Sequence, residues 1–237
     1  MAEPQLGPIV PDYPAIPPNR KSLHGKSVFL EPLSMEHSNS LFCCLGGTEN
    51  ARIWDYMPVG PFTAKAEFDN FIDSSAKSED PFFFSIIDRT ATLNGNYSTN
   101  AIGFLSLLRI DIKNRVVEIG WVAFSRMLQR TTAATEAFYI VLKWVFDELH
   151  FRRCEWKCND FNVPSKRAAE RLGFVFEGVF RKHMIVKGRN RDSAWFSIVD
   201  DEWEGGVRRA FEEWLSADNF DSEGRQKEDL VSIREKK

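Results

Sequence analysis

The longest predicted helix of this chain opens with Leu128-Gln129-Arg130-Thr131-Thr132-Ala133-Ala134-Thr135-Glu136-Ala137, directly after a predicted strand. A second strand-to-helix turn follows at Asn162-x-x-Ser165, and Arg171-Leu172-Gly173-Phe174 closes the helix that begins there. The first backbone N–H groups of a helix lack partners within it and lie at the positive end of the helix dipole. Two such turns close together in the sequence can therefore build one anion site, which suits a phosphate-bearing cofactor.

The pattern of apolar residues predicts alternating strands and helices around these two turns. Apolar positions recur with helical spacing over residues 132–149, and period-two runs bounded by turn residues mark the strands. The predicted strands are 27–31, 81–88, 101–110, 115–124, 153–158, 175–186 and 192–199, with an Asn/Gly/Ser-rich link at 94–100. The predicted helices are 34–45, 63–76, 132–149, 163–172 and 201–215. This order predicts an α/β fold in which helices cover a mixed sheet.

One domain is predicted, at residues 25–215, between two flanking segments. Residues 1–24 hold six of the eleven prolines, which is typical of an extended arm that either lies free or drapes over the domain. Residues 216–237 are polar and charged and are predicted to form a C-terminal tail. The aromatic residues of the last predicted helix, at 203, 211 and 214, look exposed, and together with the arm they permit a homodimer.

The composition places no strong constraint on partners, since the net charge is only −3. No apolar run reaches the roughly 18 residues of a membrane span and the N-terminus lacks a signal-peptide pattern, so no membrane partner and a cytoplasmic location are expected. The four cysteines fit neither a zinc site nor a disulfide framework. Cys154 and Cys158 alternate with Trp156 on one strand face and are predicted to be buried thiols.

Positive charge concentrates between Arg152 and Arg191, where eleven Lys/Arg stand against four Asp/Glu, an excess of seven. This excess indicates either a solvated basic face or an attraction for a polyanionic ligand. No RNA- or DNA-binding motif accompanies it, and aromatic residues are not interleaved with the basic ones in a stacking pattern. A nucleic-acid partner is therefore not predicted.

The order and spacing of several blocks over residues 25–204 resemble the GNAT superfamily of acetyl-CoA-dependent N-acetyltransferases, and within it the RimJ/RimL-like branch. The blocks that carry the resemblance are Glu118-Ile119-Gly120-Trp121, residues 128–137, Asn162-x-x-Ser165, residues 170–174, residues 177–181 and residues 191–197. The resemblance implies a GNAT-like fold, with a central, mostly antiparallel twisted sheet and helices on both faces. It implies acetyl-CoA as co-substrate, without a metal.

The activity implied by the resemblance is transfer of an acetyl group to a primary amine of a small molecule or a protein N-terminus, by direct attack on the thioester. The usual cofactor loop of the family reads Gln/Arg-x-x-Gly-x-Gly/Ala, but here Thr132 and Ala134 occupy the glycine positions. Glycine lets backbone amides approach a pyrophosphate closely. Small residues still leave room, and Arg130 or a threonine hydroxyl can add donors. The alternative is a non-catalytic acyl-CoA-binding or regulatory protein.

The resemblance also assigns residues to the cofactor. Backbone groups of the two strands that precede the helices would grip the pantetheine arm, the loop amides would hold the pyrophosphate, and a basic side chain would meet the 3′-phosphate. The candidates are Val122, Ala123, Phe124, Gln129, Arg130, Thr131, Thr132, Ala133, Ala134, Asn162, Ser165, Lys166, Arg167 and Arg171. For Lys166, Arg167 and Arg171 the alternative is a solvated helix face.

Two residues are candidates for the chemistry itself. Glu118 would act as general base or orient the amine, or else it is a surface or paired strand carboxylate, and Asp55 is a weaker alternative for this role. Ser165 would donate a proton to the leaving thiolate, cap a helix together with Asn162, or do both. His183 is treated as incidental. The segment with Trp54, Asp55 and Tyr56 is predicted on the acceptor side, where aromatic side chains would either line a pocket or pack in the core.

Overall fold

The computed structural model describes residues 6–89 and 100–236, so most of the predicted link at 94–100 lies outside the described residues. Its strands are β1 (Leu23–His24), β2 (Val28–Pro32), β3 (Phe82–Asp88), β4 (Ala101–Asp111), β5 (Val116–Phe124), β6 (Arg153–Asn159), β7 (Val175–Val186) and β8 (Arg189–Val199). They form one sheet in the order β1-β2-β3-β4-β5-β6-β8-β7. Among the described strands, only β5 and β6 pair in parallel. The predicted mixed, mostly antiparallel sheet is confirmed.

Seven α-helices accompany this sheet in the described part of the chain. They are α1 (Ser38–Leu45), α2 (Lys65–Lys77), α3 (Thr132–Lys143), α4 (Val163–Leu172), α5 (Asp200–Glu202), α6 (Arg208–Trp214) and α7 (Leu230–Glu235). A π-helical turn at Trp144–Glu148 extends α3, so the predicted helix over 132–149 is present with a wider last turn. A second π-helical turn, Trp203–Val207, holds Gly205 and Gly206 and separates α5 from α6. Glycine disfavours regular helix, which explains why the predicted helix over 201–215 is interrupted.

Apolar side chains pack on both faces of the sheet because successive strand residues point to opposite sides. In β3, Phe82, Phe84 and Ile86 join the core beneath α3 and α6. Phe83 and Ile87 of the same strand join a second core beneath α1 and α2. A strand covered on both faces reads as a continuous apolar run, which is the pattern of this segment.

The pairing of β5 with β6 stops partway along both strands. It runs from Val116 opposite Arg153 to Ile119 opposite Trp156. Beyond that point β5 continues to pair with β4, and β6 with β8. The register between β4 and β5 shifts next to Trp121, which has a φ of 49°. An extra residue at such a bulge bends its strand, so a wedge opens between the ends of β5 and β6.

The predicted C-terminal tail packs on the domain. Asp229 caps α7 by accepting hydrogen bonds from the N–H groups of Val231 and Ser232. Leu230 and Ile233 are buried in the main core. Two apolar side chains spaced three residues apart on one short helix are enough to dock it, although the segment is polar on average.

The aromatic residues of the last predicted helix are also buried, which corrects the expectation that they are exposed. Trp203, Phe211 and Trp214 all belong to the main core. The aromatic stripe of this helix faces the sheet and α3, where Tyr139 stacks near Trp203. It therefore gives no support to a homodimer.

The N-terminal arm contacts the domain from Tyr13 onward, whereas Leu6 and Ile9 are exposed. The N–H of Ala15 donates to the carbonyl of Ile112, and the N–H of Ile16 donates to that of Leu149. The Arg115 guanidinium lies 4.5 Å from the ring centroid of Tyr13. The arm ends in β1, a two-residue strand that the sequence pattern did not predict.

No helix among the described residues combines the length and the apolar character needed to cross a bilayer. No group of three or more His, Cys, Asp or Glu side chains among them is arranged to hold a metal ion. The four cysteines are free, and Cys154 and Cys158 are buried as predicted.

Candidate active site

The first turn of α3 leaves a row of backbone donors at the open end of the wedge. Thr131 caps this helix, since its Oγ1 accepts a hydrogen bond from the N–H of Ala134 at 3.1 Å. The N–H of Gln129 donates to the carbonyl of Ser125. In the part of the chain that the structure describes, the N–H groups of residues 130–133 have no acceptor. Four adjacent unpaired donors at a helix N-terminus suit an anionic group.

The turn between β6 and α4 is built from side-chain hydrogen bonds. Asn162 caps α4, because its Oδ1 accepts the N–H of Ser165 at 3.2 Å. The Oγ of Ser165 accepts a hydrogen bond from Nε1 of Trp156 at 3.0 Å, so its own hydroxyl hydrogen is available for a second bond. Burial raises the pKa of the neighbouring Cys158 thiol, and a hydrogen bond from Ser165 opposes that rise.

On the opposite face of the sheet, Glu118 lies in a buried ion-pair cluster. Its Oε2 lies 2.8 Å from Nζ of Lys157 and 3.3 Å from a guanidinium nitrogen of Arg109. Lys157 also pairs with Glu155, at 2.6 Å. Burial raises the pKa of Glu118, although Lys157 and, less strongly, Arg109 oppose this effect. The residue is thus both paired and shifted toward the pKa range of a useful base.

Strand β8 contributes three side chains to the same face, and the sequence pattern had not singled them out. Trp195 lies opposite Lys157 in the register, and the Lys157 ammonium sits 3.8 Å from its ring centroid. Ser193 and Arg191 follow at two-residue steps, so they share that face. Strand alternation opposite β6 was the signal that could have revealed them.

A loop after α1 closes this side of the wedge. The Tyr56 hydroxyl donates to the carbonyl of Phe161 at 3.1 Å, and Nζ of Lys187 at the β7–β8 turn donates to the carbonyl of Trp54 at 2.8 Å. Asp55 and Tyr56 are exposed. Trp54 is fully buried among Phe62, Phe68 and Phe71, so its side chain packs in the core instead of lining a pocket.

Residues 27–175, more than half of the chain, match the sequence model described as Acetyltransferase (GNAT) domain. The chain belongs to the GNAT family of acetyltransferases. A GCN5-related N-acetyltransferase from Brucella melitensis has a similar crystal structure, with a TM-score of 0.87, 43% identity, and coverage of 93% of this chain and 97% of that one. The predicted family and enzyme class are confirmed.

Two relatives from Bacillus subtilis show how far the similarity extends. The protein named "Uncharacterized N-acetyltransferase YnaD" is 28% identical over 162 residues, which cover 63% of this chain and 90% of YnaD. The protein named "Putative ribosomal N-acetyltransferase YdaF" is 32% identical over 110 residues, which cover 46% of this chain and 59% of YdaF. The chain therefore spans less than two thirds of the length of YdaF. The name of YdaF agrees with the predicted RimJ/RimL-like branch.

Of the three basic side chains considered for a phosphate in this GNAT domain, two are engaged elsewhere. Lys166 donates to Oδ1 of Asp160 at 2.7 Å. Arg171 donates to Oγ1 of Thr135 and lies over the ring of Trp214, as part of the packing of α4 on α3 and α6. Arg167 is exposed, and no partner for it occurs among the described residues. Arg167 thus differs from Lys166 and Arg171, whose side chains already have hydrogen-bond partners.

The cofactor-binding candidates on β5 border the wedge, whereas some of those in the loop before α3 already have hydrogen-bond partners. Val122, Ala123 and Phe124 lie on the part of β5 that borders the wedge. The amides of Gln129 and Ala134 already donate to Ser125 and Thr131, and the Gln129 side chain donates to the carbonyl of Phe124. The free amides of the loop are therefore fewer than the range 129–134 suggested. Arg130, with a φ of 63°, has a left-handed backbone conformation in the turn before α3.

Proposed function

We propose that this GNAT protein transfers the acetyl group of acetyl-CoA to a primary amine, which attacks the thioester directly. One observation carries the proposal. The wedge between β5 and β6 has the unpaired helix donors and Ser165 on one side of the sheet, and Glu118 on the other. A donor and an acceptor that enter the wedge from opposite sides would meet there, and holding them together supplies much of the rate.

The residues at the wedge fit the acyl donor. The inner edges of residues 122–124 and 158–160 have no strand between them, so their backbone groups can pair with the amides of a pantetheine arm. The N–H groups of residues 130–133 would bind the pyrophosphate, with Arg130 beside them, and Arg167 would meet the 3′-phosphate. Acetyl-CoA supplies an activated thioester. Thr132 and Ala134 occupy the glycine positions of the family's loop. Their small side chains would leave room for the pyrophosphate beside the backbone N–H groups.

Glu118 would accept the proton that the amine loses. The Glu118 side chain is only 7% exposed, so the proton would travel through a water molecule at the wedge. The raised pKa of this carboxyl favours the transfer, since a base works best when its pKa approaches the pH of the reaction. Lys157 and Arg109 keep it ionised enough to act.

Ser165 would donate a hydrogen bond to the departing thiolate, which takes its proton from water. Trp156 positions the hydroxyl, because the indole N–H already occupies one lone pair of its oxygen. The hydroxyl hydrogen, which can bond to the Cys158 thiol, would turn to the departing sulfur. Asn162 holds the start of α4 in place, so capping and hydrogen-bond donation are compatible roles of one turn.

The acceptor would be a small-molecule amine or a protein N-terminus, with Asp55 and Tyr56 on its side of the wedge. The name of YdaF specifies a ribosomal acceptor, so ribosomal proteins belong in the panel of amines to be tested together with free amino acids.

The first test is calorimetric titration of acetyl-CoA into the protein and into Arg130→Ala, with Arg126→Ala as the matched control. Arg126 lies on the same loop, is exposed, and donates to the carbonyl of Glu49. Binding that Arg130→Ala weakens and Arg126→Ala does not would support the donor site. Binding without turnover of any amine would favour the non-catalytic acyl-CoA-binding alternative, and no binding at millimolar acetyl-CoA would refute both.

A further inference from the structure

Among the described residues, Arg191 is a partly buried cation near Glu118 that pairs with no carboxylate. Arg109 pairs with Glu118, Lys157 with Glu118 and Glu155, and Arg153 with Glu155 and Glu177. Arg191 differs from these three. Among the described residues its hydrogen-bond partner is a hydroxyl, the Oγ of Ser193, which lies 3.1 Å from its Nε.

Arg191 is not a solvated surface charge. It is partly buried, and burial lowers the pKa of its guanidinium, with a further contribution from Arg109 that Cys158 and Glu118 oppose. Removing a charge from water is costly unless a counter-charge replaces the lost solvation. Because Ser193 takes only Nε, the terminal nitrogens are left to bind the two oxygens of a carboxylate side by side.

A bulge in β7 adds His183 to this arrangement. The register with β8 shifts between Phe180 and Met184, and Lys182, with a φ of 52°, donates its N–H to Oδ1 of Asp192 at 2.6 Å. His183 is thereby turned toward Ser193, with its Nδ1 2.9 Å from the hydroxyl oxygen.

The surroundings of His183 favour its neutral form. Burial lowers the pKa of its imidazole, and the cations Arg109, Arg191 and Lys157 lower it further. Ser193 can accept the hydrogen bond from Arg191 and donate its own hydrogen to Nδ1 of His183, which leaves the ring proton on Nε2. His183 then offers one more donor beside the guanidinium.

This pair lies next to the proposed base. The rings of His183 and Trp195 are 5.8 Å apart, Lys157 sits on Trp195, and Lys157 contacts Glu118. A surface depression of about 570 Å³ lies beside His183 and is lined by Phe180, Arg181, Lys182 and His183. A ligand bound there would contact His183, whose partner Ser193 also holds Arg191.

We propose that Arg191, held by Ser193 and flanked by His183, binds a carboxylate of the acceptor, so that the acceptor is an amine with a carboxylate in the same molecule. This inference rests on the proposed acetyl transfer and narrows its substrate class. The partly buried guanidinium of Arg191, which has no carboxylate partner among the described residues, would then bind the acceptor near Glu118, the group that accepts the amine proton.

The test compares acceptors that differ only in charge. Acetylation of glutamate and glutamine, of aspartate and asparagine, and of amino acids and their amides is followed by release of CoA, with rates corrected for the fraction of neutral amine. O-Phosphoethanolamine, which carries a phosphate and no carboxylate, is included with ethanolamine to separate a carboxylate from a phosphate. A charge-assisted hydrogen-bond pair should favour the carboxylate member by about tenfold or more in kcat/KM.

Three variants make the result specific. Arg191→Met should bring the ratio of each pair to within about twofold, and Arg191→Lys should restore part of it. Arg189→Met is the matched control, since Arg189 is an exposed arginine of the same strand, and it should keep the preference of the native protein. Equal rates for both members of every pair, a preference for the phosphorylated member alone, or a preference that survives Arg191→Met would overturn the proposal.

A second measurement does not depend on turnover. The same pairs are titrated into the protein saturated with CoA, and into the protein without CoA, and heats of binding are compared with those of Arg191→Met. Tighter binding of the carboxylate member, lost in the variant, supports the anion site even if acetylation fails. Indistinguishable binding of both members in the native protein refutes it, whereas failure of CoA to bind refutes only the proposed function.

Discussion

One face of the sheet has two halves with opposite chemistry. Over β3 and β4 it is apolar, where Phe83 and Phe104 pack with Phe68 of α2 and with Trp54. Over β6 and β8 the same face carries Lys157, with Trp195, Ser193 and Arg191 following along β8. Glu118 stands at the border between the halves. The apolar half serves to bury surface, whereas the ionic half keeps desolvated charges near a wedge, a feature that is costly to maintain without a function.

The largest effect is expected at the border, for Glu118→Gln. Loss of a general base should lower kcat by about 10²- to 10⁴-fold, while Lys157 keeps Glu155 as a partner in the variant. In the native protein the rate should rise with pH through the raised pKa of Glu118, because the base must be ionised, and this rise should disappear in the variant. Steady-state rates against pH provide the measurement.

Glu155→Gln is the matched control for that experiment. Glu155 lies opposite Glu118 in the register and contacts the same ammonium of Lys157. Its pKa, however, is lowered, because hydrogen bonds from Lys157 and Arg153 outweigh the effect of burial, so it is the poorer base. If both substitutions reduce kcat equally, the ion-pair cluster acts only as a scaffold, and the role given to Glu118 is wrong.

In the apolar half, Trp54→Ala should act on stability and spare the chemistry. Trp54 is fully buried against three phenylalanines, and its removal should cost about 3–5 kcal/mol of the free energy of unfolding. Denaturant titration measures the loss. Tyr56→Phe, in the same loop, removes only the hydrogen bond to Phe161 and should cost about 1 kcal/mol or less. Equal costs would show that Trp54 does not anchor this core.

A moderate effect is expected from Trp156→Phe on the opposite face. The variant keeps an aromatic ring against Phe138 and Phe174 but loses the N–H that contacts Ser165. We expect kcat to fall by about tenfold, roughly the value of one hydrogen bond, with an unchanged dissociation constant for acetyl-CoA. If Trp156→Phe leaves kcat unchanged in the native protein, or lowers it by the same factor in the Ser165→Ala background, Trp156 does not position the hydroxyl.

The smallest effect is expected at the outer rim of the ionic half, for Glu177→Gln. The Arg153 hydrogen bond is the main reason why the pKa of Glu177 is lowered. A lowered pKa in the folded state stabilises the protein at neutral pH, and this contribution is lost as the pH falls through that pKa. The pair is half exposed, so the difference in unfolding free energy at pH 7 should be under about 1 kcal/mol and vanish in acid. Ser197→Ala, which removes the weaker hydrogen-bond contribution to the lowered pKa of Glu177, should show a smaller pH-dependent loss.

Much of this architecture was predictable because local patterns determine it. The apolar spacing over 132–149 and the runs over 81–88 and 101–110 correspond to α3 with its π-helical turn, β3 and β4. The polar average of residues 216–237 hid α7, because only two of its side chains, Leu230 and Ile233, enter the core. Composition describes a segment as a whole, whereas docking depends on single positions.

The sequence by itself determined the family, the strand order along the chain and the two turns at Thr131 and Asn162, since each depends on neighbours within a few residues. Only the tertiary structure decided which donors remain free at those turns, that Trp54 is buried, and that Arg191 lies near Glu118 with no carboxylate partner among the described residues. The charged features depend on the pairing of β6 with β5 and with β8, strands that are distant in sequence. This pairing determines which side chains lose water and which charges become neighbours, so no local pattern encodes them.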